Sequence, residues 1–169
     1  MRNIKIVADS SSNILTLEKT PFAAAPLKVI TNEKEFVDDN ALNVDAMVAW
    51  FDSYKGKSKT SCPNPSDWLV AFGDADEVYC ITITSNLSGA YNAAMTAKEV
   101  YEASHPGRKV LVIDSLSTGP EMALLGETEA TDTTQTEPTE TTVPEETETA
   151  GKANDSLPDK PSPDEVQCS

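Results

Sequence analysis

The stretch YCITITSNLSGAYNAAMTAKEVY, residues 79–101, decides the fold. From Val78 to Ile83 nearly every position is apolar, as in a strand buried on both faces. The polar TSNLSG breaks that run. An alanine-rich segment of helix formers follows at once and ends before His105-Pro106-Gly107. KVLVI, residues 109–113, then repeats the buried-strand pattern. Two such strands joined by one helix form a βαβ unit, and such strands run parallel.

Working outward, IKIVA at 4–8 reads as a strand closed by DSSSN. PLKVI at 26–30 reads as the second strand, TNE as a turn and KEFVD as its hairpin partner. Asn43 is placed to cap a helix from Val44 to about Tyr54, with Val44, Met47, Val48 and Phe51 on one apolar face. KGKSKTSCPNPSDW reads as a loop. Within it, Asn64-Pro65 with Asp67 starts a short helix that buries Trp68, Leu69 and Phe72. A last helix begins at Pro120. The expected fold class is α/β, with a mostly parallel sheet flanked by helices. DSSSN, TSNLSG and DSLSTG then gather at the carboxyl edge of the strands, where open α/β sheets bind ligands.

Composition divides the 169 residues near Leu125. Residues 1–125 carry a net charge of −5 and residues 126–169 a net charge of −10, together the −15 of the chain. The second part has no Phe, Trp or Tyr and is rich in Thr, Glu and Pro. It cannot bury enough apolar surface to offset chain entropy, so a disordered acidic tail is expected over 126–169 and one domain over 1–125. The acidic balance argues against a nucleic-acid partner. No run approaches the length of a membrane span. The three cysteines, at 62, 80 and 168, form no CxxC pair, and an odd number without a secretory leader fits a cytoplasmic protein. Cys80 reads as a core residue and Cys62 as a small neutral one.

In TSNLSGAY, Ser88 sits where a helix N-terminus presents free N–H groups and about half a positive charge. Ser88 is an ordinary helix cap in one reading. In the other, Gly89 lets a ligand approach the backbone and Ser88 helps hold an anion. A catalytic serine is disfavoured: the GxSxG elbow lacks its first glycine, and the single histidine, His105, lies in a turn. Thr60 and Ser61 precede the next helix start, as turn residues or as a second hydroxyl clamp for a carboxylate or phosphate. Asp9-Ser10 and Asp114-Ser115 are two corners after strands, read first as Asx turns. No third acid or partnering lysine completes a metal or phosphotransfer site, so no metal, cofactor or catalytic residue is assigned.

VADSSSNI, PLKVI with EFVDD, TSCPNPSDW, ITITSNLSGAYNAA and VIDSLSTG occur in an order and spacing that resemble the DegV family of bacterial fatty-acid-binding proteins. The resemblance covers residues 3 to about 125, the N-terminal domain of such a protein. It implies a binding protein and not an enzyme, its ligand a long-chain fatty acid that members bury between two α/β domains. It implies that Thr60 and Ser88, with Ser61 and Gly89 beside them, hold the carboxylate. It also implies that the bound acid is presented to a separate fatty acid kinase. The family's second domain has no counterpart in this sequence, so an acyl tail worth about 0.8 kcal/mol per buried methylene should lose part of its burial. Self-association through the exposed domain face is one expected remedy. The alternative reading is an interaction or surface protein, in which a degenerate α/β domain carries the acidic Thr-rich segment as a stalk.

Overall fold

A computed structural model describes residues 2–14 and 16–132, with side chains through residue 128. Four parallel strands form the main sheet. In chain order they are β1 (Ile4–Asp9), β2 (Phe22–Ala25), β6 (Glu77–Thr82) and β7 (Lys109–Asp114), and across the sheet they run β2-β1-β6-β7. A second, antiparallel sheet holds β3 (Lys28–Thr31) between β4 (Glu35–Val37) and β5 (Ser58–Ser61). The helices are α1 (Val44–Ser53), α2 (Pro65–Phe72), α3 (Ala90–Ser104) and α4 (Pro120–Asp132). The α/β class and the helix-flanked parallel sheet are as expected.

Strand alternation divides the core. Val7, Val78, Cys80 and Val110 face one way and pack with Trp68, Ala71 and Phe72 of α2 and with Ala90, Ala94, Ala97 and Tyr101 of α3. Ile6, Ala8 and Ile81 face the other way, against Met122 and Leu125 of α4. The alanines of α3 recur every three or four residues, and their small side chains let the helix lie close on the sheet. The Tyr101 hydroxyl fixes its far end by donating to the Ala75 carbonyl at 2.7 Å. Cys80 is a fully buried free thiol within this core.

Four local expectations need correction. The second strand of the main sheet is Phe22–Ala25, in register with β1 from Ile6↔Phe22 to Asp9↔Ala25. Alanine carries little strand preference, so FAAA gave no signal. PLKVI is a strand and pairs antiparallel with its hairpin partner EFV as expected, but as β3 of the small sheet, after Pro26 has ended β2. Ser58–Ser61, read as loop, is an edge strand paired to β3; it has no apolar alternation, because its backbone alone makes the pairing. Helix α1 meets Phe36 through Trp50 and Phe51, with ring centroids 5.3 and 5.4 Å away, while Val44 and Val48 of the predicted apolar face stay more than half exposed. Finally, α4 continues through Leu125 to Asp132, past the change in composition. Most of the segment read as a disordered tail, residues 133–169, lies outside the described residues.

Candidate functional site

The three polar loops expected at the carboxyl edge are there, and hydrogen bonds join them into one rim. Asp9, at the end of β1, is fully buried. Its Oδ1 accepts the Ser11 amide and hydroxyl, closing an Asx-type corner, and its Oδ2 accepts the Ile83 amide at 2.7 Å. Asp114, at the end of β7, accepts two amides on Oδ1, Ser85 and Leu116, each at 3.1 Å. The Thr84 amide donates to the Ser117 carbonyl at 3.0 Å, and the Gly119 amide to the Ser11 carbonyl at 3.1 Å. Both DS corners are therefore turn chemistry, and each also grips the segment between β6 and α3, Asp9 at Ile83 just before TSNLSG and Asp114 at Ser85 within it.

The two carboxyls titrate in opposite directions from their ordinary value. Burial pushes Asp9 up, against the pull of its Ser11 and Ile83 donors. At Asp114 burial also pushes up, but hydrogen bonds from the Ser85 hydroxyl and from the Leu116 and Ser85 amides outweigh it and hold the carboxyl low. Burial, with the Asp9 charge nearby, pushes the Cys80 thiol well up.

The loop then delivers a helix end. Each amide from Ile83 to Leu87 has an acceptor, the last two within the loop itself: Asn86 donates to Thr84 Oγ1 and Leu87 to the Thr84 carbonyl. Gly89 is the N-cap of α3 and gives it no side-chain cap, and the first turn carries no acid. The Gly89 amide makes no hydrogen bond among the described residues. Ser88, expected as the cap, stands one residue earlier, half-buried, and its Oγ accepts the Ala90 amide at 3.2 Å. A hydroxyl that accepts one N–H keeps its own proton to donate. Ser88 and Gly89 thus present an O–H and an N–H at the positive end of a 15-residue helix.

The other helix start is closed. Asn64 Oδ1 accepts the Asp67 amide, and Asp67 Oδ2 accepts the Asn64 amide, both at 3.0 Å, so a capping box with its own carboxylate fills the end of α2. Thr60 and Ser61 precede it on β5, paired to Val29 and Lys28 respectively. The pleat turns the two side chains to opposite faces. Thr60, exposed, lies on the face of Val29 and Phe36; Ser61, half-buried, lies on the face of Lys28, whose Nζ is 3.5 Å from Asp67. The Ser61 hydroxyl donates to the Cys62 carbonyl at 3.2 Å. No hydrogen bond joins Thr60 or Ser61 to Ser88 or Gly89 among the described residues, but Cys62 and Ala90, the next residue along on each side, pack into the same core cluster.

His105 closes the opposite end of α3. A 15-residue helix spans about 22 Å at 1.5 Å per residue, so His105 and Ser88 form no catalytic pair. Among the described residues no cluster of His, Cys, Asp or Glu has metal-binding form, and no helix is long and apolar enough to cross a membrane. The roles of Asp9 and Asp114 as grips on the loop were not read from sequence; the repeated strand-DS pattern was the available signal.

A DegV domain-containing protein of Streptococcus pneumoniae strain R6 is 41% identical over 127 residues, which cover 73% of this chain and 45% of that protein. The chain spans about half the length of the curated relatives it matches. Among solved structures, a DegV family protein from Eubacterium eligens loaded with heptadecanoic acid is 42% identical with a TM-score of 0.74, over 79% of this chain and 49% of that one. The Streptococcus pneumoniae Fatty Acid Kinase B3 protein loaded with linoleic acid is 38% identical with a TM-score of 0.73, over 79% and 50%. The family model described as "Uncharacterised protein, DegV family" matches residues 3–148, well past Leu125, and the chain belongs to the DegV family.

Proposed function

We propose that this chain binds a long-chain fatty acid and holds its carboxylate at the Ser88–Gly89 turn. The observation that carries the reading is the open donor pair at the start of α3, in a fold whose two relatives named above are loaded with fatty acids. The Ser88 hydroxyl and the Gly89 amide donate to the carboxylate, and the helix dipole favours its charge. Thr60 supplies a second hydroxyl, because the Ser61 proton is held by Cys62; Ser61 contributes as the backbone neighbour that sets Thr60. Leu87 and Leu116, 66% and 74% exposed on the two adjoining loops, offer apolar surface for the first methylenes. The chain acts by binding, without a cofactor, and presents the acid to a fatty acid kinase in the cytoplasm. Pairing of two copies through an exposed face supplies a second wall for the acyl chain.

Calorimetric titration with heptadecanoic acid and with its methyl ester tests the site. The ester cannot accept charge-assisted hydrogen bonds, which are worth about 1.5–3 kcal/mol, so it should bind at least tenfold more weakly. Ser88→Ala should weaken the acid and leave the ester unchanged. Equal affinity for acid and ester would remove the carboxylate clamp.

A further inference from the structure

Between the last residue of β6, Thr82, and the first of α3, Ala90, the chain has no regular structure to fix it, so the position of the Ser88–Gly89 turn depends on how the loop before it is held. One end is held deep: the Ile83 amide meets the fully buried Asp9. Two residues on, the Ser85 amide meets Asp114, among the described residues the only other side chain outside the loop that accepts one of its amides. Both amides that reach Asp114 converge on one oxygen, Oδ1, and the second belongs to Leu116, at a φ of +54°. A left-handed conformation costs a leucine roughly 1–2 kcal/mol, and here it aims the Leu116 N–H at the same oxygen that holds Ser85. Asp114 itself is only half-buried and, among the described residues, makes no hydrogen bond to Ser88 or Gly89.

We infer that Asp114 is a positioning residue: it fixes the β6–α3 loop through Ser85 and so sets where the Ser88 hydroxyl and the Gly89 amide point. This rests on the carboxylate site proposed above. The role needs an acceptor at Oδ1 and not a charge. Asparagine keeps an oxygen there that can take both amides, and the Ser85 hydroxyl can rotate to suit the new amide group. Alanine leaves both amides without their partner.

The test uses the whole 169-residue chain, heptadecanoic acid as the probe, and Asp114→Ala beside Asp114→Asn, each first shown to melt cooperatively. Affinity should fall about tenfold in Asp114→Ala, the effect of losing one good charge-assisted hydrogen bond's worth of alignment, and stay within about threefold of wild type in Asp114→Asn. In parallel, the Gly89 and Ala90 amide resonances should move in Asp114→Ala and return in Asp114→Asn. Unchanged affinity in Asp114→Ala, or equal weakening in both variants, overturns the inference. Should the wild-type chain take up no heptadecanoic acid, the fatty-acid reading fails by itself and the resonances decide: a Gly89 amide that Asp114→Ala leaves unmoved overturns the positioning role, and one that moves and is rescued by asparagine upholds it.

Discussion

The Asp9 carboxylate accepts the Ile83 amide at 2.7 Å, so the end of β1 holds the first residue beyond β6. Asp9 uses both oxygens, Oδ1 for Ser11 and Oδ2 for Ile83, and is fully buried. Asparagine has one acceptor oxygen and turns an amide group against the other donor. Asp9→Asn should therefore cost about 1–3 kcal/mol, the penalty for a buried donor without a partner. Urea denaturation measures it, and an unchanged midpoint would remove Asp9 as a clamp. The contrast with Asp114, where one oxygen takes both amides, makes asparagine harmful at one corner and tolerable at the other.

The two carboxyls should also give stability opposite pH slopes. Asp114 is held low in the folded state, so its contribution is present above the ordinary carboxylate value and is lost as pH falls through the lowered one. The stability gap between wild type and Asp114→Asn should narrow as pH falls through that range. Asp9 is held high by burial, so the folded chain binds its proton more readily than the unfolded chain does. Relative to Asp9→Asn, wild type should gain stability as pH falls from the raised value toward the ordinary one. Denaturation midpoints of the three proteins from neutral pH to about pH 3 check both signs, and parallel curves would contradict them.

Where apolar periodicity and burial coincide, the sequence was a sufficient guide. Val78 to Thr82 reads as a buried strand because both of its faces are covered, whereas β7, read the same way, lies at the sheet edge and leaves Leu111 53% exposed. The Asn64 capping box was readable because its chemistry is local. β2 and β5 were not legible, since alanines and a Ser-Lys-Thr-Ser run become strands only through partners distant in the chain. The site followed the same division. The placement of Ser88 and Gly89 at a helix start was readable from the strand-loop-helix pattern, whereas the opposed faces of Thr60 and Ser61 depend on pairing to β3. The grip of Asp9 on Ile83 spans 74 positions, and no local pattern encodes it.

Trp68 is fully buried, and its indole N–H has no hydrogen-bond partner among the described residues. An unpaired buried donor costs about 1–3 kcal/mol, and phenylalanine removes that cost while giving up part of the ring's packing. The two effects oppose each other, so Trp68→Phe should change stability by less than about 1.5 kcal/mol. A loss above about 3 kcal/mol would show that the N–H is bonded, with an internal water as the natural acceptor. The indole proton resonance, compared before and after the addition of heptadecanoic acid, tells a water apart from the ligand.

Val48 is 53% exposed on α1, one turn from Val44 at 54%, although helical spacing makes both part of an apolar face. The helix is held instead by Trp50 and Phe51 on Phe36, and Trp50 stacks on Tyr54 at 4.5 Å. A charge at Val48 therefore meets solvent. In dilute protein, Val48→Glu should alter stability by no more than about 0.5 kcal/mol, the usual range for surface substitutions. A loss above about 1 kcal/mol would mean that this face is covered within the chain. Sedimentation equilibrium at rising concentration separates the remaining cases. Self-association through α1 predicts a wild-type mass that grows with concentration and a Val48→Glu mass that does not. Equal growth in both proteins would move the contact to another face, with Leu87 and Leu116 on the carboxyl edge as the next surface to charge.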